Sequence, residues 1–226
     1  MTTSTTPTAA GLTRLGFCNG TAAALLLASL GCSKADDKAD VKARKEKTGM
    51  DFNELIEARR SVRQYAKSEI APKEMEAIVA DALNAPSWKN SETTRYHAAV
   101  GAVAKKRMWE EALPGFNAAS SANAAALVAV TFVPGESGHI DGKPSDALGD
   151  SWGAYDCGLA SAYFVLAAKN HGWDTLIMGI RNEAKVREIL SIPEKEILMS
   201  VIAVGKSAQP YFKNPRKSVA EVLKAV

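Results

Sequence analysis

After residue 50, apolar side chains recur every three to four positions in several segments, a spacing typical of amphipathic helices. Pro72 suits the first position of one such helix, because its missing N–H would have no partner there. The segment from Trp152 to His171 is apolar on most sides, which indicates a long central helix, and Gly172 suits its end. Asn182 is a typical helix cap. The helices predicted in this way span residues 51–60, 72–83, 105–113, 152–171 and 183–190.

Continuous apolar runs indicate strands that are buried on both faces. The clearest ones are AALVAVTFV, which ends at Val133, and the run that ends at Val204. The predicted strands span residues 96–103, 125–133, 175–178 and 197–204. About four strands are too few for a full doubly wound domain. The sequence therefore predicts an α+β protein, an α-β-α sandwich with a small mixed sheet.

Composition and charge narrow the class of protein. The 226 residues are 46% apolar and 23% charged, which is ordinary for a soluble globular protein. Of 28 basic and 25 acidic residues, seven and four lie in residues 1–49, so the remainder holds 21 of each sign. A nucleic-acid-binding domain carries excess positive charge on its folded part, and we expect no nucleic-acid partner. The three cysteines and three histidines show no metal-ligand spacing, and we expect no metal site.

The first 49 residues differ in character from residues 50–226, and we place a domain boundary between them. Thr21 to Leu30 is an apolar run that is too short to span a bilayer but is typical of a secretory signal. It leads to Cys32, in a context that resembles the lipobox of bacterial lipoproteins. The charged stretch behind Cys32 lacks aromatic residues and is predicted to be a disordered linker. We expect a membrane-anchored lipoprotein lipidated at Cys32; the alternative is a cytoplasmic protein that starts at Met50.

Three familiar motifs fail on inspection. Gly205-Lys206-Ser207 resembles the end of a phosphate-binding P-loop, but Ser200 stands where that motif needs glycine. The sequence from Gly135 to His139 approximates a nucleophile elbow, but its second glycine is displaced by one position. No GxGxxG follows a predicted strand. Hydrolases, phosphoryl transferases and classical dehydrogenases are therefore disfavoured.

Three guanidinium groups and a hydroxyl lie within five positions, where a predicted helix ends. They belong to Arg59, Arg60, Ser61 and Arg63. Arginine forms bidentate contacts with phosphate, and serine adds a further donor. Taken alone, such a cluster is more often a solvated surface. Because the domain as a whole is neutral, these arginines do not belong to a general basic surface. They are therefore a candidate phosphate site.

Four segments, taken together, resemble the nitroreductase family of flavoproteins. They begin at Glu54, Ala85, Tyr155 and Gly205 and read ELIEARRSVRQY, APSWKNSETTRY, YDCGLASAYFVLAAKNHGWDTLIMG and GKSAQPYFKNPRKSVAEVL. They occur in the family's order and cover essentially everything after Met50. Two positions depart from the family: Glu92-Thr93-Thr94 replaces a frequent Gln-Pro-Trp, and Gly179 stands where some members carry a glutamate.

The resemblance implies an FMN-dependent NAD(P)H oxidoreductase of the nitroreductase or quinone reductase type, with FMN bound at the interface of a homodimer. It implies a ping-pong transfer of hydride from NADH or NADPH to a nitroaromatic, a quinone or a similar small acceptor. The flavin N5 carries the chemistry, so no side chain is assigned a catalytic role.

The resemblance also assigns cofactor-binding roles to three groups of residues. Those at the phosphate are Arg59 (also at the flavin ring edge), Arg60, Ser61, Arg63, Lys213 and Arg216. Those that reach the flavin from the other subunit are Pro86, Ser87, Trp88 and Asn90. Those at the flavin ring are Asn117, near the pyrimidine, and the backbone of Ile177, Met178 and Gly179, which passes the N5 edge.

Three alternatives remain open at this point. The protein can be a specialised member of the same fold, such as a dehalogenase-like or flavin-modifying enzyme. It can be a non-catalytic flavin-binding protein of the cell envelope, or a lipid-anchored binding module without flavin. Flavin content separates the last alternative from the others, and NAD(P)H turnover separates the second.

Overall fold

The computed structural model describes residues 50–210 and 212–226. The predicted lipidation site Cys32 and the predicted linker therefore lie outside the described residues. Within the described ranges, no helix combines the length and the apolar character needed to cross a membrane.

In the central five-stranded sheet, three strands pair with one long strand, β7 (Ile197–Ser207). This strand pairs antiparallel with β1, β3 and β6, and β2 pairs antiparallel with β3. The parallel component of the predicted mixed sheet is a single bridge between Ser61 and Thr175. The short strands β4 and β5 form a separate hairpin. The strands are β1 (Tyr65–Ala66), β2 (Thr94–Ala99), β3 (Ala126–Phe132), β4 (His139–Ile140), β5 (Lys143–Pro144), β6 (Asp174–Met178) and β7 (Ile197–Ser207).

The predicted strands are all present, with shifted ends. The strand predicted for residues 96–103 begins at Thr94 and ends at Ala99, because the chain turns into the next helix at Gly101. The expectation of about four strands missed β1, whose two residues are too few to show an alternating pattern. It also missed the two-residue strands of the hairpin.

Helices cover both faces of the sheet and begin where their capping residues predict. Asp51 forms a capping box with Glu54, Pro72 occupies the first turn of its helix, and the Asn182 side chain accepts the Lys185 N–H. Gly172, with φ of +76°, ends the long helix as expected. The helices are α1 (Phe52–Ala58), α2 (Pro72–Ala82), α3 (Ala102–Arg107), α4 (Gly115–Ser121), α5 (Ser151–Asn170), α6 (Glu183–Leu190) and α7 (Val219–Val222).

Two hydrophobic cores form, one on each face of the sheet. Along β3, Val128 and Val130 pack into the core with α2 and α5, while Leu127 and Ala129 face the opposite core. Successive side chains of a strand point to opposite faces, so a strand buried on both faces is apolar throughout. This explains the continuous apolar run, and the α-β-α sandwich predicted from the sequence is confirmed.

The helix predicted for residues 105–113 has a different form in the structure. It consists of α3 and a π-helical segment, Met108–Ala112, which the Leu113 N–H closes by donating to the Met108 carbonyl at 3.0 Å. The short helix α4 follows directly and was not predicted, because GFNAASS has no apolar periodicity.

Candidate functional site

The segment that follows α1 is extended and lies against the sheet. Arg59 leaves the helix with φ of −66° and ψ of 127°. The Val62 N–H then donates to the Thr175 carbonyl of β6 at 2.9 Å, and the Ala208 N–H donates to the Gln64 carbonyl at 2.9 Å. These backbone bonds fix the arginine cluster between the start of β6 and the end of β7.

A polar cavity of about 310 Å³ opens at this place, and we call it the arginine cavity. It brings together five of the six residues predicted at the phosphate, including Arg216 from the tail. Its lining consists of Arg59, Arg60, Ser61, Val62, Arg63, Gln64, Ser207, Gln209, Pro210, Phe212, Asn214 and Arg216. The cavity is thus built from one local segment and from the chain that follows β7.

Positive charge in the arginine cavity lacks compensation within the described residues. Burial lowers the pKa of the Arg59 guanidinium, and the charges of Arg60 and Arg216 lower it further. Among the described residues, neither Arg59 nor Arg216 forms an ion pair, and Arg60 reaches Glu57 only at 4.0 Å. An anion in the cavity would relieve this repulsion, and the hydroxyl of Ser61 would add a donor.

The sixth residue predicted at the phosphate, Lys213, lies elsewhere. Its ammonium group forms an ion pair with Glu57 and does not line the arginine cavity. The hydrogen bond and the charge of Lys213 lower the pKa of the Glu57 carboxyl. Arg216 thus lines the cavity, whereas Lys213 is bound to Glu57 of α1, whose carboxylate lies 4.0 Å from Arg60 at the border of the cavity.

The loop predicted to reach the flavin, Pro86–Asn90, is apart from the arginine cavity within one chain. It contains a single 3₁₀ turn, Trp88–Asn90, in which Lys89 and Asn90 have φ of 46° and 56°. Non-glycine residues in this left-handed region are strained and persist only where their surroundings hold them. That this loop reaches a cofactor across a subunit interface stays a prediction.

Asp156 of α5 is the residue that holds this loop. Its carboxylate is 3% exposed and accepts the Trp88 N–H at 3.0 Å and the Ser137 hydroxyl at 2.6 Å. The Ser87 hydroxyl accepts the Glu92 N–H at 3.0 Å at the far end of the turn. A buried carboxylate with two donors fixes the backbone of Trp88 to the long helix.

The residues predicted at the flavin ring lie at the end of β6. Met178 is buried, whereas Ile177 is 49% exposed and Ile180 66% exposed. A Cβ atom added to Gly179 would have no heavy atom within 4 Å, so the backbone there borders open space. Asn117 of α4 lies next to this place, and its side-chain Nδ2 donates to the Ile180 carbonyl at 2.7 Å.

The arginine cavity and this open backbone lie at opposite ends of one short strand. Ser61 is bridged to Thr175 near the start of β6, and Gly179 directly follows its last residue. Because a strand rises about 3.3 Å per residue, Thr175 and Met178 are separated by about 10 Å. An elongated ligand with an anionic group at one end can follow this strand.

The sequence profile of the nitroreductase family matches residues 56–206. The chain belongs to the nitroreductase family. A relative from Archaeoglobus fulgidus, provisionally named NADH dehydrogenase/NAD(P)H nitroreductase, is 30% identical over 155 residues, which is 67% of this chain and 82% of the relative. The family assignment drawn from the four sequence segments is confirmed.

Solved structures of the nitroreductase family share the fold. A provisionally named nitroreductase from Exiguobacterium sibiricum, crystallised in complex with FMN, superposes with a TM-score of 0.69 at 22% identity, over 80% of this chain and 99% of the other. CLA-ER, an enone reductase of gut-bacterial fatty acid biohydrogenation, gives a TM-score of 0.67 at 20% identity, over 79% of this chain and 99% of the other. The same fold thus accommodates different acceptors.

Two residues near the predicted sites were missed from the sequence, Asp156 and Arg181. Asp156 is a buried acid in an otherwise apolar helix, and such a residue usually has a specific partner, so a signal was present. Arg181 was missed because its contacts with the Gly179 and Leu198 carbonyls follow no sequence pattern, and Leu198 lies on a different strand.

Proposed function

We propose that this nitroreductase-family protein is an FMN-dependent oxidoreductase. In this proposal it takes reducing equivalents from NADH or NADPH and passes them to a small acceptor, a quinone or a nitroaromatic compound, in a ping-pong cycle. Bound FMN supplies a redox centre that exchanges hydride at N5. The name of the Archaeoglobus relative and the FMN held by the Exiguobacterium protein support this proposal.

The observation that carries the proposal is the uncompensated positive charge of the arginine cavity. The four guanidiniums and the Ser61 hydroxyl that line the cavity match the donors that a phosphate monoester needs, and arginine contacts phosphate in a bidentate manner. Burial and, after it, the charges of Arg60 and Arg216 lower the pKa of Arg59, and both effects make its positive charge unfavourable without an anion. The residues present therefore fit the FMN phosphate.

The open backbone at the end of β6 fits a flat ring. Gly179 carries no side chain, and no neighbour lies within 4 Å of the place where a Cβ would project. Within the described residues, the side-chain Oδ1 of Asn117 accepts no hydrogen bond, because the amide is oriented by its donation to Ile180. Asn117 can thus accept the N3–H of the flavin pyrimidine while its Nδ2 stays bound to the backbone.

We further propose that the protein acts as a homodimer. Helix α5 leaves Tyr155 and Tyr163 60% and 41% exposed, and the neighbouring helix α1 leaves Phe52 and Ile56 69% and 42% exposed. An exposed apolar patch of this kind is typical of a protein interface. A second copy on this face would bury these side chains and would bring a second Trp88 loop toward the first chain.

The lipid anchor at Cys32 is a separate proposal, tested by the mass of the native protein. A diacylated Cys32 and a start at Met50 give N-termini of different mass, and an intact residue 1 would contradict both. Because NAD(P)H is a cytosolic reductant, a lipidated form outside the membrane would use another reductant, whereas a form that starts at Met50 would stay inside the cell.

The activity is tested by adding FMN to the purified protein and following NADH and NADPH oxidation at equal protein concentration. Separate reactions receive menadione, a nitroaromatic compound or an enone as the acceptor. We expect turnover with menadione or the nitroaromatic compound. Tight FMN binding without NAD(P)H oxidation would instead identify a non-catalytic flavin-binding protein. Turnover with the enone alone would place the protein with specialised members of the fold.

A further inference from the structure

The linker between β6 and α6, residues 179–181, belongs to no regular element. Its carbonyl groups therefore accept none of the regular backbone hydrogen bonds of a helix or sheet and need other donors. The linker borders the open space at Gly179 and carries the exposed side chain of Ile180. The orientation of its peptide groups determines whether an N–H or a carbonyl faces a ligand on that side.

Two side chains fix consecutive carbonyls of this linker. Arg181 donates from Nη1 to the Gly179 carbonyl at 2.5 Å, and Asn117 donates from Nδ2 to the Ile180 carbonyl at 2.7 Å. The Asn182 N–H donates to the Ala112 carbonyl, at the end of the π-helical segment, at 2.7 Å. The backbone on either side of Ile180 is thus held in one orientation.

Arg181 also joins the linker to the sheet. Its Nη2 donates to the Leu198 carbonyl of β7 and lies 3.5 Å from Glu183, and its side chain is only 15% exposed. A guanidinium is planar and rigid, so two carbonyls bound to its two Nη groups are held at a fixed separation. The three N–H donors of lysine share one nitrogen, so lysine cannot hold two carbonyls in the geometry set by two separate Nη groups.

We propose that Arg181 is a positioning residue for the cofactor, which orients the peptide between Gly179 and Ile180 against the flavin ring. This inference rests on the proposed function, because it takes the linker to be the edge of the FMN site. It adds a residue that the resemblance does not assign. Arg181 acts here through the backbone and does not itself contact the ring.

The chain offers a matched control in Arg187. This arginine also donates to two backbone carbonyls, those of Pro193 and Glu196, and also pairs with Glu183, with a side chain 23% exposed. Its carbonyl partners lie in the loop before β7 and not at the linker. Loss of either arginine should therefore lower stability to a similar degree, whereas only Arg181 should affect the cofactor.

The experiment compares wild type with Arg181→Gln, Arg181→Lys and Arg187→Gln in the full-length protein. FMN dissociation constants are measured by flavin fluorescence, the visible circular dichroism of the bound flavin reports its environment, and the apoprotein melting temperature reports folding. We expect Arg181→Gln to weaken FMN binding about tenfold and to alter the flavin circular dichroism. Arg181→Lys should restore little of the FMN affinity. Arg187→Gln should leave the FMN dissociation constant within about twofold of wild type and the flavin circular dichroism unaltered.

Equal effects of Arg181→Gln and Arg187→Gln on FMN affinity would overturn the inference, because the effect would then follow stability alone. Unchanged affinity and dichroism in Arg181→Gln would overturn it as well. In both cases the wild type still binds FMN, so the proposed function stands. If the wild type does not bind FMN, the proposed function fails first, and this inference fails with it. Should Arg181→Gln not fold, Arg181→Lys provides the same comparison.

Discussion

The arginine cavity and the Trp88 loop differ in whether their polar groups have partners within the chain. In the cavity, burial and the charges of Arg60 and Arg216 lower the pKa of Arg59, and within the described residues neither Arg59 nor Arg216 forms an ion pair. In the loop, the strained turn is held by Asp156, whose buried carboxylate accepts two hydrogen bonds. The repulsion in the cavity lowers the stability of the free protein and favours the binding of an anion. The hydrogen bonds accepted by Asp156 instead raise the stability of the free protein. Substitutions in the two regions should therefore separate binding from stability.

The largest effect is expected from removing two charges of the cavity. In the double variant Arg59→Ala and Arg216→Ala, we expect FMN binding to weaken between about 100- and 10,000-fold, because two charge-assisted contacts with phosphate are lost. The apoprotein should be no less stable than wild type, since repulsion with Arg60 is relieved. Flavin fluorescence titration and thermal unfolding measure the two quantities.

Arg107→Ala is the control for this prediction. Arg107 forms ion pairs with Glu111 at 2.8 Å and Glu188 at 2.5 Å, and the hydrogen bonds that it donates to these carboxylates raise its pKa. Its loss should leave FMN affinity unchanged and should not raise stability. A double variant of the cavity that is clearly less stable than Arg107→Ala would show that Arg59 and Arg216 are structural residues.

The second effect is expected at the Trp88 loop. Asp156→Asn keeps the shape of the side chain but weakens the acceptor for the Trp88 N–H and the Ser137 hydroxyl. We expect the free energy of unfolding to fall by about 1–3 kcal/mol, and hydrogen exchange of Trp88 to accelerate. Asp146→Asn, which weakens an exposed acceptor of the Trp152 indole, should cost less. Equal losses of unfolding free energy in the two variants would mean that burial does not strengthen the hydrogen bonds of Asp156.

A smaller effect is expected from adding one methyl group at the open backbone. Gly179→Ala meets no atom within 4 Å and requires no left-handed backbone. The stability of the apoprotein should therefore stay within about 0.5 kcal/mol of wild type. If the flavin ring lies against Gly179, the methyl group occupies its space, and FMN binding should weaken about tenfold. Unchanged FMN affinity would show that the ring lies elsewhere.

The smallest effect is expected from Lys213→Ala. An exposed ion pair with Glu57 contributes little to affinity, so FMN binding should weaken less than about twofold. Arg216→Ala alone should have a clearly larger effect, measured by the same titration. Equal effects would mean that Lys213 leaves Glu57 and moves to the phosphate when FMN binds.

The same contrast explains how much was predictable from the sequence. The arginine cluster is contiguous, and Pro72, Gly172 and Asn182 act within one turn of their own helices, so local patterns were sufficient to place them. Arg216 was placed by the family's tail motif. Asp156 and Arg181 act on groups that are distant along the chain, such as Trp88 and Leu198, and no local spacing reveals such partners. The π-helical segment was missed because its residues follow an ordinary helical pattern.

The central claim is that the arginine cavity binds the phosphate of FMN. Its most direct test is the comparison of FMN with riboflavin, which has the same ring and ribityl chain but no phosphate, in fluorescence titrations of wild-type apoprotein. The account predicts that riboflavin binds at least about 100-fold more weakly than FMN. Equal affinities for the two flavins would contradict it.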